Sequence, residues 1–392
     1  MKRFLFLLSI LCAAQGMMAQ LTSLGMIEET SIENAINKGL VSRVYRPQMT
    51  VIDEHLYIAT VRGLYRHDVD DTATTEWEKM EVTDDVIYGF CVHNDTLLVL
   101  TEKMLYISTD DGKNTIKVLV DSIVKEKPYA KLLDMAVHPN NACNIFIAHE
   151  GLSRTTDGGK TWETVNTDIG DMIFPFDGIC YNPHANYQLI GYYNQEVIDE
   201  CQLLISNDNG DSWTQTRGLG SPRSCFDIVF HPADEKRMIV YGSSLYAISE
   251  NGGESWVPQY AENNHSMAID AWNIIYDNTN PEVLYSATIR GVHKSVDGGT
   301  TWSYFYGEDL GEVRSLAIYK DLLFIYTRGN GIYMLDLVAL SETGKGQGGT
   351  LVMPAIEKET LDIPYYDLQG RPVSNPERGI YIKDGKKVII GQ

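Results

Sequence analysis

The chain has 392 residues, 44% hydrophobic and 22% charged, the balance of a folded globular protein with room for a large core. Its 53 acidic and 32 basic side chains give a formal charge of −21. Such a chain is repelled by phosphate backbones, so no nucleic-acid partner is expected.

Residues 1–20, MKRFLFLLSILCAAQGMMAQ, place two basic residues before an apolar run and then small residues. That is the pattern of a secretory signal peptide, too short for a membrane-spanning segment. Cleavage is expected after Ala19, leaving a protein that is secreted, on the cell surface or periplasmic. Lipid attachment at Cys12 is disfavoured by the bulky Leu11 before it. Loss of Lys2 and Arg3 takes the charge from −21 to −23. The remaining cysteines (Cys91, Cys143, Cys180, Cys201, Cys225) are odd in number and scattered, which fits neither a disulfide framework nor a zinc site.

From about residue 50 one unit recurs. An apolar strand, a turn, a second strand, a tight turn and a third strand lead into an octapeptide and a fourth strand. The octapeptides are STDDGKNT from 108, TTDGGKTW from 155, SNDNGDSW from 206, SENGGESW from 249 and SVDGGTTW from 295, hence 47, 51, 43 and 46 residues apart. The third-strand stretches align as GLYRH (63–67), MLYIS (104–108), GLSRT (151–155), QLLIS (202–206), SLYAIS (244–249), GVHKS (291–295) and GIYML (331–335). They alternate at period two and are rich in β-branched and aromatic residues. Seven four-stranded repeats of this length predict an all-β fold, a single seven-bladed β-propeller. The octapeptide becomes the hairpin loop between third and fourth strands, with Asp110, Asp157, Asp208, Asn251 and Asp297 accepting loop amides. Trp162, Trp213, Trp256 and Trp302 start the outer strands, and Trp77 fits an eroded first copy.

The S-x-D-x-G-x-T-W pattern resembles the Asp-box, or BNR, repeat of sialidase-like propellers. That group includes sialidases, VPS10/sortilin-type and xyloglucanase propellers, and photosystem II assembly factors of the Ycf48/HCF136 type. The resemblance spans about 50–340 and implies that the octapeptides are structural, on the face away from a ligand. Blade seven lacks a fourth strand, so residues within 21–42, in a propeller domain spanning 20–340, are expected to close the ring. A glycine-rich linker follows at 341–350 (SETGKGQGGT). The stretch YDLQGRPVSNPERGIYIKDGKKVII within 351–392 resembles the C-terminal sorting segment of proteins exported by Bacteroidetes-type bacteria. It implies a small C-terminal β module read by secretion machinery; a β-appendage with a basic tip is the other reading.

Catalytic patterns fit poorly. The sialidase F/Y-R-I/L-P motif is approached only by Tyr45-Arg46-Pro47, and sialidases have six blades. GGKT at 158–161 has Arg154 where a P-loop needs glycine, and the acidic run at Asp68, Asp70 and Asp71 has Lys79 where calcium needs a bidentate acid. No metal or cofactor is expected. His138-Pro139 and His231-Pro232 read as turns that end innermost strands.

The binding candidates lie on the opposite face, in turns between second and third strands. Arg62, Arg290 and Arg328 each precede a glycine in equivalent turns, ATVRG, ATIRG and YTRGNG. Their blades (one, six and seven) are consecutive in a closed ring; Lys103 in blade two and Arg314 join the sector. Clustered cations are costly unless solvated, paired or awaiting an anion, and guanidinium groups suit carboxylates and acidic sugars. Alternatively each arginine caps its turn or pairs with an acid such as Glu308 or Glu312. Across the ring stand Asp134, Asp177 and Asp227, with Glu150 in a turn. They either hydrogen-bond neighbouring backbone or supply a glycosidase pair. A long turn at 191–202 adds Tyr192, Tyr193 and Glu196, and puts Cys201 on the same face as Cys225, the first pair to test for a disulfide, with their pairing left open. Together these predict a monomeric, non-catalytic propeller that binds an acidic peptide, protein or glycan. The alternative is a glycoside hydrolase or lyase using the acids of blades three to five.

Overall fold

The computed structural model describes residues 21–25, 47–71, 75–124, 131–167, 176–195, 200–219, 224–243, 245–259, 271–329 and 331–342, and four short strands between 365 and 390. The signal-like residues 1–20 and the linker from 343 lie outside the described residues. The chain divides into two compact units, 1–348 and 349–392.

The first unit is a seven-bladed β-propeller. Its described residues form seven four-stranded antiparallel sheets: 49–79, 87–119, 134–165, 178–215, 224–258, 273–306, and 313–336 joined by Leu21–Ser23. The first strand of each blade is innermost, and first strands of neighbouring blades pack side by side around the ring, except between blades one and two, where the second strand of blade one meets the first of blade two. Middle strands are covered on both faces by adjacent blades. This is why runs such as Leu97–Leu100 and Ile145–Ala148 are apolar at every position and wholly buried. The core is accordingly a ring of clusters between blades. One joins blades one and two through Tyr57, Leu64, Phe90 and Val99, and another joins blades four and five through Ile190, Leu203, Val240 and Trp256.

The octapeptide loops hold themselves together. In the last, Asp297 accepts the Ser295 hydroxyl at 2.8 Å, the Thr301 amide at 2.8 Å and the Thr301 hydroxyl at 2.5 Å. Gly298 and Gly299, at φ of 67° and 91°, take backbone angles that favour glycine. Asp110, Asp157 and Asp208 repeat the scheme, and Asn251 copies it by donating its amide to Ser255 Oγ. The indoles of Trp162, Trp213 and Trp302 each donate to a loop glycine carbonyl at 3.1 Å; Trp256 makes no such bond. On this same side arginines tie alternate blades to the next: Arg66 to Asp111, Arg154 to Asp211 and Arg237 to Glu282.

Blade seven takes its outer strand from the N-terminal side of the ring. Leu21, Thr22 and Ser23 pair antiparallel with Leu335, Met334 and Tyr333. Leu24 is buried between blades seven and one, and its carbonyl accepts the Trp77 indole N–H at 2.9 Å. The second unit holds one four-stranded sheet, formed by Tyr365–Tyr366, Pro372–Val373, Gly379–Lys383 and Lys386–Ile390. No helix among the described residues is long and apolar enough to cross a membrane.

Candidate ligand-binding face

The turns between second and third strands, together with the loops entering innermost strands, make the face opposite the octapeptides. In the turn of blade one, Thr60 Oγ1 donates to Gly63 O at 2.7 Å and accepts the Arg62 amide at 3.0 Å. Blade six repeats this through Thr288, Gly291 and Arg290 at 3.0 and 3.1 Å. Blades two and seven use Thr101 on Met104 O and Thr327 on Gly331 O. The threonine therefore closes each turn, and the guanidinium is not needed as a cap. Arg62, Arg290 and Lys103 are exposed. Among the described residues neither the Arg62 nor the Arg290 guanidinium is hydrogen-bonded to an acid. Asp84, whose carboxyl is held low chiefly by Lys79, also feels the Arg62 charge. Behind Arg290, burial above all, and then the arginine's own charge, hold His293 at about 4, so it stays neutral near pH 7.

Blade seven differs. The Glu312 carboxylate takes Arg314 on one oxygen at 2.8 Å and Arg328 on the other at 2.9 Å. Arg314 is only 1% exposed and lies over the Trp272 ring at 3.7 Å, while Phe226 stacks parallel to the same ring at 5.4 Å. Phe226, Trp272 and Arg314 occupy equivalent positions in blades five, six and seven, one residue before the innermost-strand position held by Asp227, Asn273 and Ser315. Arg314 is thus a packed, paired group and is withdrawn from the ligand-facing set. Arg328 keeps partial exposure with one side committed to Glu312.

The acids of blades three to five also have local work. Asp134 accepts the Met135 amide on Oδ1 at 2.8 Å and the Ile179 amide of blade four on Oδ2 at 3.0 Å. Asn273 and Gln48 accept Leu316 and Phe90 amides of the next blade in the same manner. Where blade four offers Gly178 at this position, Asp227 caps its own following amide, Ile228, at 2.8 Å. Asp134 and Asp227 thereby satisfy innermost-strand N–H groups that the neighbouring blade would leave without an acceptor. Asp177 stands one residue earlier, level with Phe226 and Trp272, its amide donating to Tyr192 O. Glu150 is exposed at its turn. Among the described residues no group of three metal-type ligands is present.

Two candidate ligand contacts are corrected. Tyr192 and Tyr193 are 3% and 1% exposed, inside blade four rather than on a binding turn. Tyr192 lies over Gly178, where an added Cβ would sit 2.0 Å from its ring, and its hydroxyl donates to Phe226 O at 2.8 Å. Tyr193 donates to Gln202 Oε1 at 3.0 Å. Cys201 and Cys225 are buried free thiols, not a disulfide. Glu196 lies outside the described residues. The sequence reading passed over Trp272; its signal was an aromatic one residue before an innermost strand, matched in register by Phe226.

No protein-family profile and no curated protein matches the chain. Solved structures do. YCF48 bound to a D1 peptide is 16% identical, with a TM-score of 0.56 over 76% of this chain and 95% of that one. YCF48 from Cyanidioschyzon merolae is 13% identical, with a TM-score of 0.57 over 81% and 98%. The Niastella koreensis GH74 enzyme is 15% identical, with a TM-score of 0.50 over 72% of this chain and 41% of that one. At these identities the likeness is one of fold. It agrees with the seven blades and leaves the chemistry of the face to its own residues.

Proposed function

We propose that the protein is a non-catalytic binding propeller whose face opposite the octapeptides holds an acidic segment of a protein partner, with Arg62, Arg290 and Arg328 as the contacts and Lys103 at the margin. The observation that carries this is the pair of exposed arginines in matching turns already closed by threonine. Among the described residues no carboxylate hydrogen-bonds either guanidinium, and both stand on one face of a chain of charge −21. The peptide seen on YCF48 supports a peptide ligand over a small anion. The hydrolase alternative draws little support from Asp134, whose two oxygens each accept a backbone amide, or from Asp227, whose Oδ1 caps the Ile228 amide.

The same reading takes the octapeptides as Asp boxes, residues 1–19 as a signal peptide and 351–392 as a sorting module. It describes a monomeric propeller that works outside the cytoplasm.

The test is fluorescence anisotropy with labelled acidic peptides, beside an anionic-glycan array scored for binding and for product. Wild-type binding should weaken steeply with salt, and Arg62→Ala/Arg290→Ala should weaken it roughly tenfold or more. The reading is wrong if that double variant binds like wild type, or if glycan cleavage appears.

A further inference from the structure

The two matching arginine turns differ in one respect that their hydrogen bonds do not require. The residue before the arginine is Val61 in blade one and Ile289 in blade six. Val61 is 3% exposed and belongs to the cluster between blades seven and one. Ile289 is 48% exposed. An exposed branched aliphatic residue therefore directly precedes an exposed arginine, on a turn whose twin shows that the geometry itself permits burial.

The backbone of the turn is also braced. Thr288 Oγ1 closes it from within. Gly291 is pressed against the end of the outer strand, where a Cβ would come 2.6 Å from Tyr306 O and 2.8 Å from Gly307 O. The backbone that carries these side chains is thus constrained before any ligand arrives, which lowers the entropic cost of binding.

We infer that the docked segment carries an apolar side chain next to an acidic one, the apolar group seated on Ile289 and the carboxylate on Arg290. This rests on the reading of the face as a site for an acidic protein segment. Charge complementarity selects the acid: exposed Arg290 and Arg62 flank paired Arg328 in an otherwise acidic chain. Ile289 selects a peptide over an anionic glycan. A sugar would satisfy the arginine yet turn hydroxyls toward the isoleucine, whereas an aliphatic or aromatic side chain removes that surface from water.

The experiment compares two labelled peptides of equal charge and length, one with Glu-Leu-Glu at its centre and one with Glu-Ser-Glu, on the full chain. Wild type should bind the leucine peptide roughly five- to tenfold more tightly. Ile289→Ser should abolish that preference and leave the serine peptide unaffected, with thermal unfolding unchanged because the side chain is outside the core. Equal affinities in wild type would overturn the inference while leaving the acidic-segment reading intact. Failure of both peptides to bind would overturn the reading as well. Sedimentation with phosphatidylserine vesicles that is lost in Ile289→Ser, without any peptide preference, would instead assign the pair to a membrane surface and overturn the inference.

Discussion

At the scale of single residues, Glu312 is the hinge between structure and binding. Its two oxygens hold one buried and one half-buried guanidinium, and removing it would leave Arg314 charged, 1% exposed and without its carboxylate. Glu312→Ala should destabilise the propeller by about 3 kcal/mol or more in chemical denaturation, and combining it with Arg314→Met should recover much of that loss. The octapeptide loops offer a second test. Hydrogen bonds, first from the Thr161 amide and hydroxyl and then from Thr155, lower the Asp157 carboxyl to about 2. A depressed carboxyl stabilises the fold fully above its ordinary value of about 4, and this contribution disappears as the pH falls toward 2. Because Asn251 already serves in an equivalent loop, Asp157→Asn should fold. Its Tm should lie below wild type at pH 7, with the gap closing as the pH is lowered through that window.

At the scale of elements, the outer strand of blade seven decides whether the ring is closed. Leu21–Ser23 supplies only three paired residues, so much of the attachment falls to Leu24, buried at the joint and covered by the Trp77 indole bond. Leu24→Ala should cost roughly 2–4 kcal/mol and expose the Ile332–Asp336 edge, read as a lower Tm and concentration-dependent aggregation on heating. The absence of a fourth strand after 331–335 could be counted along the repeats. The segment that closes it could be placed only within 21–42, because a three-residue stretch such as Leu21-Thr22-Ser23 is too short a pattern to mark its own place or register. The blade-four hairpin shows the opposite limit. Tyr192 and Tyr193 sit in polar-looking sequence that suggests a surface turn, yet strand pairing continues through Gln195 and Glu200 and carries both rings into the blade.

At the scale of the whole molecule, the ring sorts chemistry by face. Arg66, Arg154 and Arg237 on the octapeptide side are each tied to an acid across or within the blades. On the opposite side Arg62 and Arg290 are exposed, and among the described residues blade seven alone spends two arginines on a shared carboxylate. Blades six, seven and one are neighbours because the ring closes, which brings residues more than 220 positions apart in sequence onto one sector. The steep salt dependence expected of binding belongs to this scale, since it reflects several cations acting together within a chain of net negative charge.

The sequence by itself determined the blade. Octapeptide spacing, period-two strands and the glycines of each loop are local properties, set by steric and hydrogen-bonding rules acting over a few residues, and they repeat often enough to be counted. It also grouped Arg62, Arg290 and Arg328, each before a glycine in a turn between second and third strands, although Arg328 directly follows its turn threonine and the other two stand one residue further on. Only the tertiary structure decided which of those arginines meets a carboxylate, which acids serve backbone amides, and that Ile289 is left in water while Val61 is buried. Those outcomes depend on what the adjacent blade places a few ångströms away, and contacts between blades leave no periodic trace in the chain.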